Sequence, residues 1–284
     1  METTPFGQTG VTVSRLGFGG APAGLHNYLA VYDPTDARQR GEVIAAIHKA
    51  VELGITYFDT APGYGHGHSE TIFGQALAGL GEQVFVATKI GPAEAEVGRS
   101  IEASLTRLRR ERLDLVQIHG SSYTPAQAEA ILAEGGLLAQ LEALREQGLI
   151  RFIGFTSEDN NAAVYRFIES GRFAAMQIAY NLLYQHPWEA TRPFGSLLEA
   201  KKQHMATCTM RTLTSGLLQK WLQLVNPQND FDYTPALLQF VLSNPHVDVA
   251  LVGMRTAAMV EANVRVCEDQ AGRIDLAAWQ EKYI

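Results

Sequence analysis

Short apolar runs recur along the chain and are separated by stretches with helical periodicity. Strands of a parallel sheet are apolar on both faces because helices cover them. Eight segments are therefore predicted as strands: Arg15–Gly19, Tyr57–Asp59, Val84–Lys89, Asp114–His119, Arg151–Thr156, Ala175–Tyr180, Ala206–Met210 and Val247–Val252. Other runs place apolar residues at i, i+3, i+4 and i+7, as an amphipathic helix does. These predict eight helices: Glu42–Leu53, Ser69–Leu77, Val97–Arg109, Leu137–Gln147, Asn161–Glu169, Pro193–Lys202, Pro235–Leu242 and Ala257–Val266.

The regular alternation of strand-like and helix-like segments, with roughly 30 residues in each pair, is the pattern of an α/β protein with a (β/α)8 TIM barrel. Thr3–Ser14 precedes the first strand and carries a glycine-containing turn between β-prone pieces, which predicts an N-terminal β-hairpin. Gln219–Tyr233 is polar, and we expect a long loop there. Because no linker or shift in composition divides the chain, residues 1–284 are expected to form a single barrel domain.

Composition narrows the class of protein. The 23 lysines and arginines are outnumbered by 30 aspartates and glutamates, which leaves a net charge of −7 without a basic run. We therefore expect no nucleic-acid or membrane partner, and a phosphate-bearing ligand must be held by a local cationic feature. A hydrophobic content of 46% excludes a disordered chain. Cys208 and Cys267 form neither a disulfide framework nor a zinc motif. The first residues lack the pattern of a secretory signal, so we expect a cytoplasmic protein.

Candidate chemistry lies where the predicted strands end, because active sites of such barrels form at the C-terminal ends of the strands. The second, third and fourth strands end in Asp59, Lys89 and His119, spaced 30 residues apart, and Tyr64 lies just beyond the second strand. Each residue alone has a structural explanation: a turn cap for Asp59, a solvated Lys89, a core histidine for His119. Their position on consecutive strand ends instead predicts that all four converge at one rim of the barrel.

Such a set is suited to transferring a proton to a carbonyl oxygen. A free tyrosine titrates near 10, too high for an efficient acid at neutral pH, and the ammonium of Lys89 would lower that pKa. Asp59 would keep Lys89 charged, and His119 could donate a hydrogen bond to the carbonyl oxygen as negative charge develops there. The set contains no nucleophile, so the electrons must come from elsewhere, most simply as a nicotinamide hydride.

Motifs over nearly the whole chain resemble those of the aldo-keto reductase superfamily. The most specific are FGQTGVTVSRLGFGGA, GITYFDTAPGYGHGHSE, VATK and LDLVQIHG, and they are followed by IRFIGFTS, MQIAYNLL, LTSGLL and LVGMR. The resemblance implies a (β/α)8 barrel that binds NAD(P)H in extended form at the strand C-termini. It also implies Tyr64 as the general acid, Lys89 and Asp59 as the groups that tune it, and His119 as the group that orients the carbonyl.

The resemblance further implies a cofactor site built from loops at the C-terminal ends of the strands. Ser157 and Gln177 would hold the nicotinamide carboxamide, and Arg255 would lie at the adenosine end. The residues implied in cofactor binding are Gly20, Ala21, Asp59, Ser157, Gln177, Met210, Arg211, Leu213, Ser215, Gly216, Gly253, Met254, Arg255 and Asn263.

Two positions depart from the family pattern. Glu158 follows Ser157 where the family has asparagine, and a carboxylate can accept from the carboxamide nitrogen but cannot donate to its carbonyl. Met210 and Arg211 stand where many members have a Tyr-Ser pair. The Met210 thioether can lie against a ring, or it can simply fill the core, and Arg211 could approach the pyrophosphate.

Other candidates carry less chemistry. His66 and His68 have no further ligand in view and are interpreted as loop histidines, so no metal is expected. Arg107, Arg109 and Arg110 are interpreted as a solvated helix end.

The sequence thus predicts an NADP(H)-dependent oxidoreductase that interconverts a small carbonyl compound and an alcohol. Arg255 is expected to select NADPH by binding its 2′-phosphate, with Thr256 as the N-cap of the following helix. The alternatives are a cofactor-binding regulatory or redox-sensing protein without turnover, and a barrel lyase or isomerase.

Overall fold

Eight parallel strands close into a barrel in a computed structural model that describes residues 1–185, 195–276 and 278. Each strand pairs with its successor along the chain, and the last strand closes the barrel against the first. The barrel strands are β3 (Leu16–Gly19), β4 (Tyr57–Asp59), β5 (Phe85–Ile90), β6 (Leu113–His119), β7 (Ile150–Ser157), β8 (Ala175–Ala179), β9 (Ala206–Met210) and β10 (Val249–Gly253). The predicted (β/α)8 TIM barrel is confirmed.

Helices surround the barrel and alternate with its strands. They are α1 (Ala21–Gly24), α2 (Ala37–Glu52), α3 (His68–Ala76), α4 (Val97–Leu108), α5 (Pro125–Leu132), α6 (Leu137–Glu146), α7 (Ala162–Glu169), α8 (Gly195–Lys202), α9 (Leu217–Val225), α10 (Thr234–Leu242) and α11 (Ala257–Glu268). Side chains before several helices accept hydrogen bonds from free N–H groups of the first turn, as Asp36 does for α2 and Asn161 for α7. Thr256 caps α11 as predicted. Among the described residues, no helix combines the length and apolar character needed to cross a membrane.

The predicted N-terminal hairpin is present and covers the N-terminal end of the barrel. Its strands β1 (Thr3–Pro5) and β2 (Thr12–Ser14) pair antiparallel. Phe6 is fully buried, with its ring centroid 5.4 Å from that of Tyr57 and 5.1 Å from that of Phe85. This aromatic cluster fills the barrel interior at the N-terminal ends of the strands. The polar interior positions lie at the C-terminal ends.

The structure corrects two local predictions, and a third lies partly outside the described residues. The expected loop at Gln219–Tyr233 is wrong in its first part, because α9 continues to Val225, although none of its residues is buried. Helix α5 was not predicted, although Thr124 and Gln127 form a capping box at its start. The helix predicted over Pro193–Lys202 begins outside the described residues, and α8 is described from Gly195.

Candidate active site

Two ends of neighbouring strands carry a buried ion pair. Lys89 on β5 donates from Nζ to Asp59 Oδ1 on β4 at 2.5 Å and to the carbonyl oxygen of Thr60 at 2.8 Å. The side chains of Lys89 and Asp59 are each 1% exposed. Two such charges can remain ionised at this depth only because each is paired and hydrogen-bonded. The predicted convergence of these two strand ends is observed.

Tyr64 and His119 complete the cluster. The Lys89 Nζ lies 4.8 Å from the centroid of the Tyr64 ring, and the Tyr64 and His119 rings meet edge to face with centroids 5.8 Å apart. His119 is the last residue of β6, and Tyr64 lies in the loop after β4. The structure therefore places all four predicted residues together at the C-terminal rim.

Burial and charge set the protonation of the cluster. Although burial alone would lower it, the carboxylate of Asp59 raises the pKa of Lys89, which keeps the ammonium charged. Burial raises the pKa of Tyr64, and the charge of Lys89 opposes that shift without fully offsetting it. The expected net lowering of this pKa is therefore not observed, and Tyr64 holds its proton at neutral pH. Burial and the charge of Lys89 lower the pKa of His119 to about 4. His119 is thus a neutral imidazole, able to donate one hydrogen bond.

Gln117 belongs to the same cluster but was not predicted from the sequence. Its Nε2 donates to Asp59 Oδ2 at 3.0 Å and to Gln177 Oε1 at 3.1 Å, inside the barrel. The signal that could have revealed it is the strand period of two, because Leu115, Gln117 and His119 share one face of β6. Leu115 packs in the barrel interior, so a glutamine two residues later faces inward as well.

A cavity of about 390 Å³ opens directly above this cluster. Tyr64 and His119 line it at the rim, and Tyr28, Leu29 and Gln219 from the surrounding loops line it as well. The residues from the cofactor prediction that line it are Gly20, Ala21, Asp59, Gln177, Met210, Arg211, Leu213, Ser215, Gly216 and Gly253. One cavity therefore brings the proposed acid and most of the predicted cofactor residues together.

Comparison with known proteins places this arrangement in a family. The model of the aldo/keto reductase family matches residues 15–235. The chain belongs to the aldo/keto reductase family. Members are oxidoreductases that use a nicotinamide cofactor, and the chain is an NAD(P)-dependent oxidoreductase of this family.

Individual relatives cover most of the chain. The methylglyoxal reductase YeaE of Escherichia coli (strain K12) is 30% identical over 271 residues, which span 89% of this chain and 88% of the relative. An NADH-specific methylglyoxal reductase of the same organism is 31% identical over 64% of this chain and 60% of its own length. The crystal structure of an aldo-keto reductase from Klebsiella pneumoniae in complex with NADPH superimposes with a TM-score of 0.73 at 23% identity, covering 99% of this chain and 95% of that one. That last similarity concerns the fold.

The remaining predicted cofactor residues lie outside the main cavity lining. Ser157 is buried, and its Oγ exchanges hydrogen bonds with the backbone of Asp159. Met254 is buried, and Asn263 on α11 donates from Nδ2 to the Met259 carbonyl. These three residues remain predictions for cofactor contact.

Arg255 lies at a second cavity, of about 370 Å³, next to the start of α11. Its guanidinium carbon lies 4.9 Å from the centroid of the Tyr32 ring, while its Nη1 is buried without a hydrogen-bond partner among the described residues. Arg38 and Thr256 line the same cavity. A buried guanidinium nitrogen without a partner, beside a capped helix N-terminus, fits an anionic group of a nucleotide cofactor.

The two departures from the family pattern contact each other. Arg211 Nη2 donates to Glu158 Oε1 at 2.7 Å across the cavity lining, and Ser121 Oγ also donates to this oxygen at 3.4 Å. Arg211 adopts a positive φ of 55°, a backbone conformation that residues other than glycine rarely adopt. Arg211 was predicted to approach a pyrophosphate, but in the structure its guanidinium is paired with Glu158. The sequence did not indicate this ion pair.

Of the three arginines at the end of α4, Arg109 is exposed as predicted, whereas Arg107 and Arg110 form ion pairs, contrary to prediction. Arg107 donates from Nε to the fully buried Glu70 at 2.6 Å, and Arg110 pairs with Asp114 at 3.3 Å. Thr88, next to Lys89, donates to the other oxygen of Glu70 at 2.5 Å. Arg107 thus supports the strand that carries Lys89, because it neutralises a carboxylate that the barrel wall buries.

Proposed function

We propose that the chain interconverts an aldehyde or ketone and the corresponding alcohol with NADP(H), with Tyr64 as the general acid and base. The observation that carries the proposal is the packing of Tyr64 against both His119 and the Lys89 ammonium beneath a cavity of about 390 Å³. A protonated phenol and a neutral imidazole at one rim are the donors that a carbonyl oxygen needs as it gains negative charge.

Each residue has a defined part in carbonyl reduction. A nicotinamide cofactor held in the cavity would supply the hydride to the carbonyl carbon. Tyr64 gives its phenolic proton to the carbonyl oxygen, and the Lys89 ammonium stabilises the phenolate that forms. Asp59 keeps that ammonium charged and fixes its position. His119 donates a hydrogen bond to the same carbonyl oxygen and so orients it. In alcohol oxidation the phenolate of Tyr64 takes the proton back.

NADP(H) is proposed over NAD(H) because of Arg255. Its unpartnered Nη1 offers a positive charge to the second cavity, whereas the charge of the neighbouring Arg38 is balanced by Glu42 at 2.8 Å. A 2′-phosphate adds roughly 1.5–2 negative charges, which a guanidinium can bind with two hydrogen bonds. Family membership alone does not decide the cofactor, since one relative is named NADH-specific.

A small carbonyl compound is proposed as the substrate class. Tyr28 and Leu29 from the loop after α1, together with Gln219 on α9, line the cavity near Tyr64. They offer a mixed apolar and polar surface. The name of the methylglyoxal reductase relative supports a small aldehyde as the first compound to test.

The test is NADPH oxidation by the purified protein in the presence of methylglyoxal and of a generic aromatic aldehyde. Tyr64→Phe should lower the rate by about 10²–10⁴, as for loss of an acid–base group, with an unchanged Kd for NADPH. Tyr123→Phe is the matched control, since its buried hydroxyl donates to the Ile118 carbonyl away from the cavity lining. Tight NADPH binding without turnover would instead favour a cofactor-binding regulatory or redox-sensing protein.

A further inference from the structure

Three polar side chains form a buried chain of hydrogen bonds across the upper interior of the barrel. Gln117 on β6 lies between Asp59 on β4 and Gln177 on β8, with contacts of 3.0 and 3.1 Å. All three side chains are at most 1% exposed. The side chains in one interior layer of a TIM barrel come from alternate strands. These three residues therefore belong to one interior layer, and that layer is polar. Asp59 and Gln177 also line the main cavity, whereas Gln117 lies beneath it.

The donor-to-acceptor direction of these hydrogen bonds is fixed by Asp59, at one end of the row. The carboxylate of Asp59, which also accepts from Lys89, can only accept, so Gln117 must turn its Nε2 toward it. The second N–H of that nitrogen then faces Gln177, which must present its Oε1 to Gln117. Gln177 Nε2 is consequently turned away from Gln117 and toward the Asp59 carboxylate, to which it also donates. A primary amide has two N–H groups, so one remains for the cavity that Gln177 lines.

This orientation of Gln177 supplies the hydrogen-bond donor that Glu158 cannot supply. An ionised carboxylate at that position offers no donor to the carbonyl oxygen of a carboxamide, and Glu158 is in addition engaged by Arg211. A nicotinamide carboxamide that loses a donor at this position needs one from another residue. The amide of Gln177 can supply it only while its oxygen is held elsewhere.

We propose that Gln117 is a positioning residue that holds the Gln177 amide in the donor orientation for the nicotinamide carboxamide. It thereby connects the residue that receives the cofactor ring to the Lys89–Asp59 pair behind Tyr64. This inference rests on the proposed nicotinamide cofactor, and it concerns only the end of the cofactor that carries the ring.

Gln117→Met tests the inference, because methionine has nearly the same length and no N–H group. The Kd for NADP+ should rise roughly 3- to 10-fold, the factor expected for loss of about one neutral hydrogen bond. The Kd for 2′-phospho-ADP-ribose, which lacks the nicotinamide, should stay unchanged. Both constants can be measured by titration calorimetry, without turnover. Unaltered binding of the second ligand also shows that the variant is folded.

A double-variant cycle asks whether Gln117 acts through Gln177. In the background of Gln177→Met, the further change Gln117→Met should leave the Kd for NADP+ unaltered. Gln239→Met is the matched control, since Gln239 is a buried glutamine of α10 that donates to the carbonyls of Val266 and Asp269 away from both cavities. It should change neither constant.

The outcomes separate the inference from the proposed function. Failure of the wild type to bind either ligand would overturn the proposed cofactor. Wild-type binding combined with an unchanged NADP+ affinity in Gln117→Met would overturn the positioning role alone. Equal losses for both ligands, or additive effects in the cycle, would also overturn it. Gln117→Glu gives an independent check, because a neutral carboxyl has one donor and an ionised one has none, so NADP+ affinity should again fall selectively.

Discussion

The ion pair between Lys89 and Asp59 should be a main determinant of stability as well as chemistry. In the variant Lys89→Met, Asp59 loses its contact at 2.5 Å while remaining buried beneath the cavity. Among the described residues, the side-chain donors left to this carboxylate are the neutral amides of Gln117, at 3.0 Å, and of Gln177. A buried charge that has lost its counter-charge is costly, because neither solvent nor a cation compensates it.

The expected loss is about 3–5 kcal/mol of the free energy of unfolding, the range for removing one partner of a buried pair. Without Lys89, burial raises the pKa of Asp59 in the folded variant further above the unfolded value of about 3.9, and Asp59 limits the loss by taking up a proton. A group with a raised folded pKa stabilises below the unfolded pKa and loses that contribution as the pH rises. The deficit of Lys89→Met should therefore be largest near pH 8 and should shrink toward pH 5.

Urea denaturation at several pH values, followed by far-UV circular dichroism, measures this deficit. The double variant Lys89→Met with Asp59→Asn should recover much of the stability, because it removes both charges. Lys49→Met is the control for an exposed pair, since Lys49 contacts Glu52 on the surface of α2, and it should change stability little. A loss below about 1 kcal/mol for Lys89→Met, or a deficit that is equal at all pH values, would refute the reasoning.

Three further predictions concern the cavity and its rim. Glu158→Asn should release Arg211 and restore a donor to the carboxamide, so NADPH should bind about 2- to 10-fold more tightly by calorimetry, and lost activity would instead give Glu158 a role of its own. Arg255→Ala should weaken NADPH binding by about 1.5–3 kcal/mol and barely affect NADH, whereas equal losses would show that Arg255 does not bind the 2′-phosphate. Because the pKa of His119 is lowered from 6.5 to about 4, its contribution to stability is present above pH 6.5 and is lost as the pH falls toward 4. Urea titrations should therefore show a steeper loss of stability over this window for the wild type than for His119→Gln, and parallel profiles would contradict the assignment.

The local pattern determined the architecture of this chain. The strand that ends at Asp59 and the strand that ends at His119 were predicted with the same C-terminal residue that the structure gives. Apolar periodicity is set by which face of an element is buried, and a regular βα repeat buries the same faces in each unit. The equal spacing of Asp59, Lys89 and His119 then placed three side chains at one rim, because strands in register end at the same edge. The prediction failed at α9, where the leucines recur with a helical period but none of the residues is buried, and the segment was interpreted as a polar loop.

Contacts between distant segments were decided by the tertiary structure. Gln117 lies 58 residues from Asp59 and 60 from Gln177, and no local signal states which interior positions of alternate strands meet. Arg107 reaches Glu70 only because α3 and α4 are adjacent outside the barrel wall. Arg211 and Glu158, separated by 53 residues, were each recognisable as unusual, but their ion pair was not. The sequence determined which residues face the barrel interior or its rim, because burial follows a local period. Barrel closure decided their partners, since side-chain pairing depends on angles and distances between elements that a one-dimensional pattern does not contain.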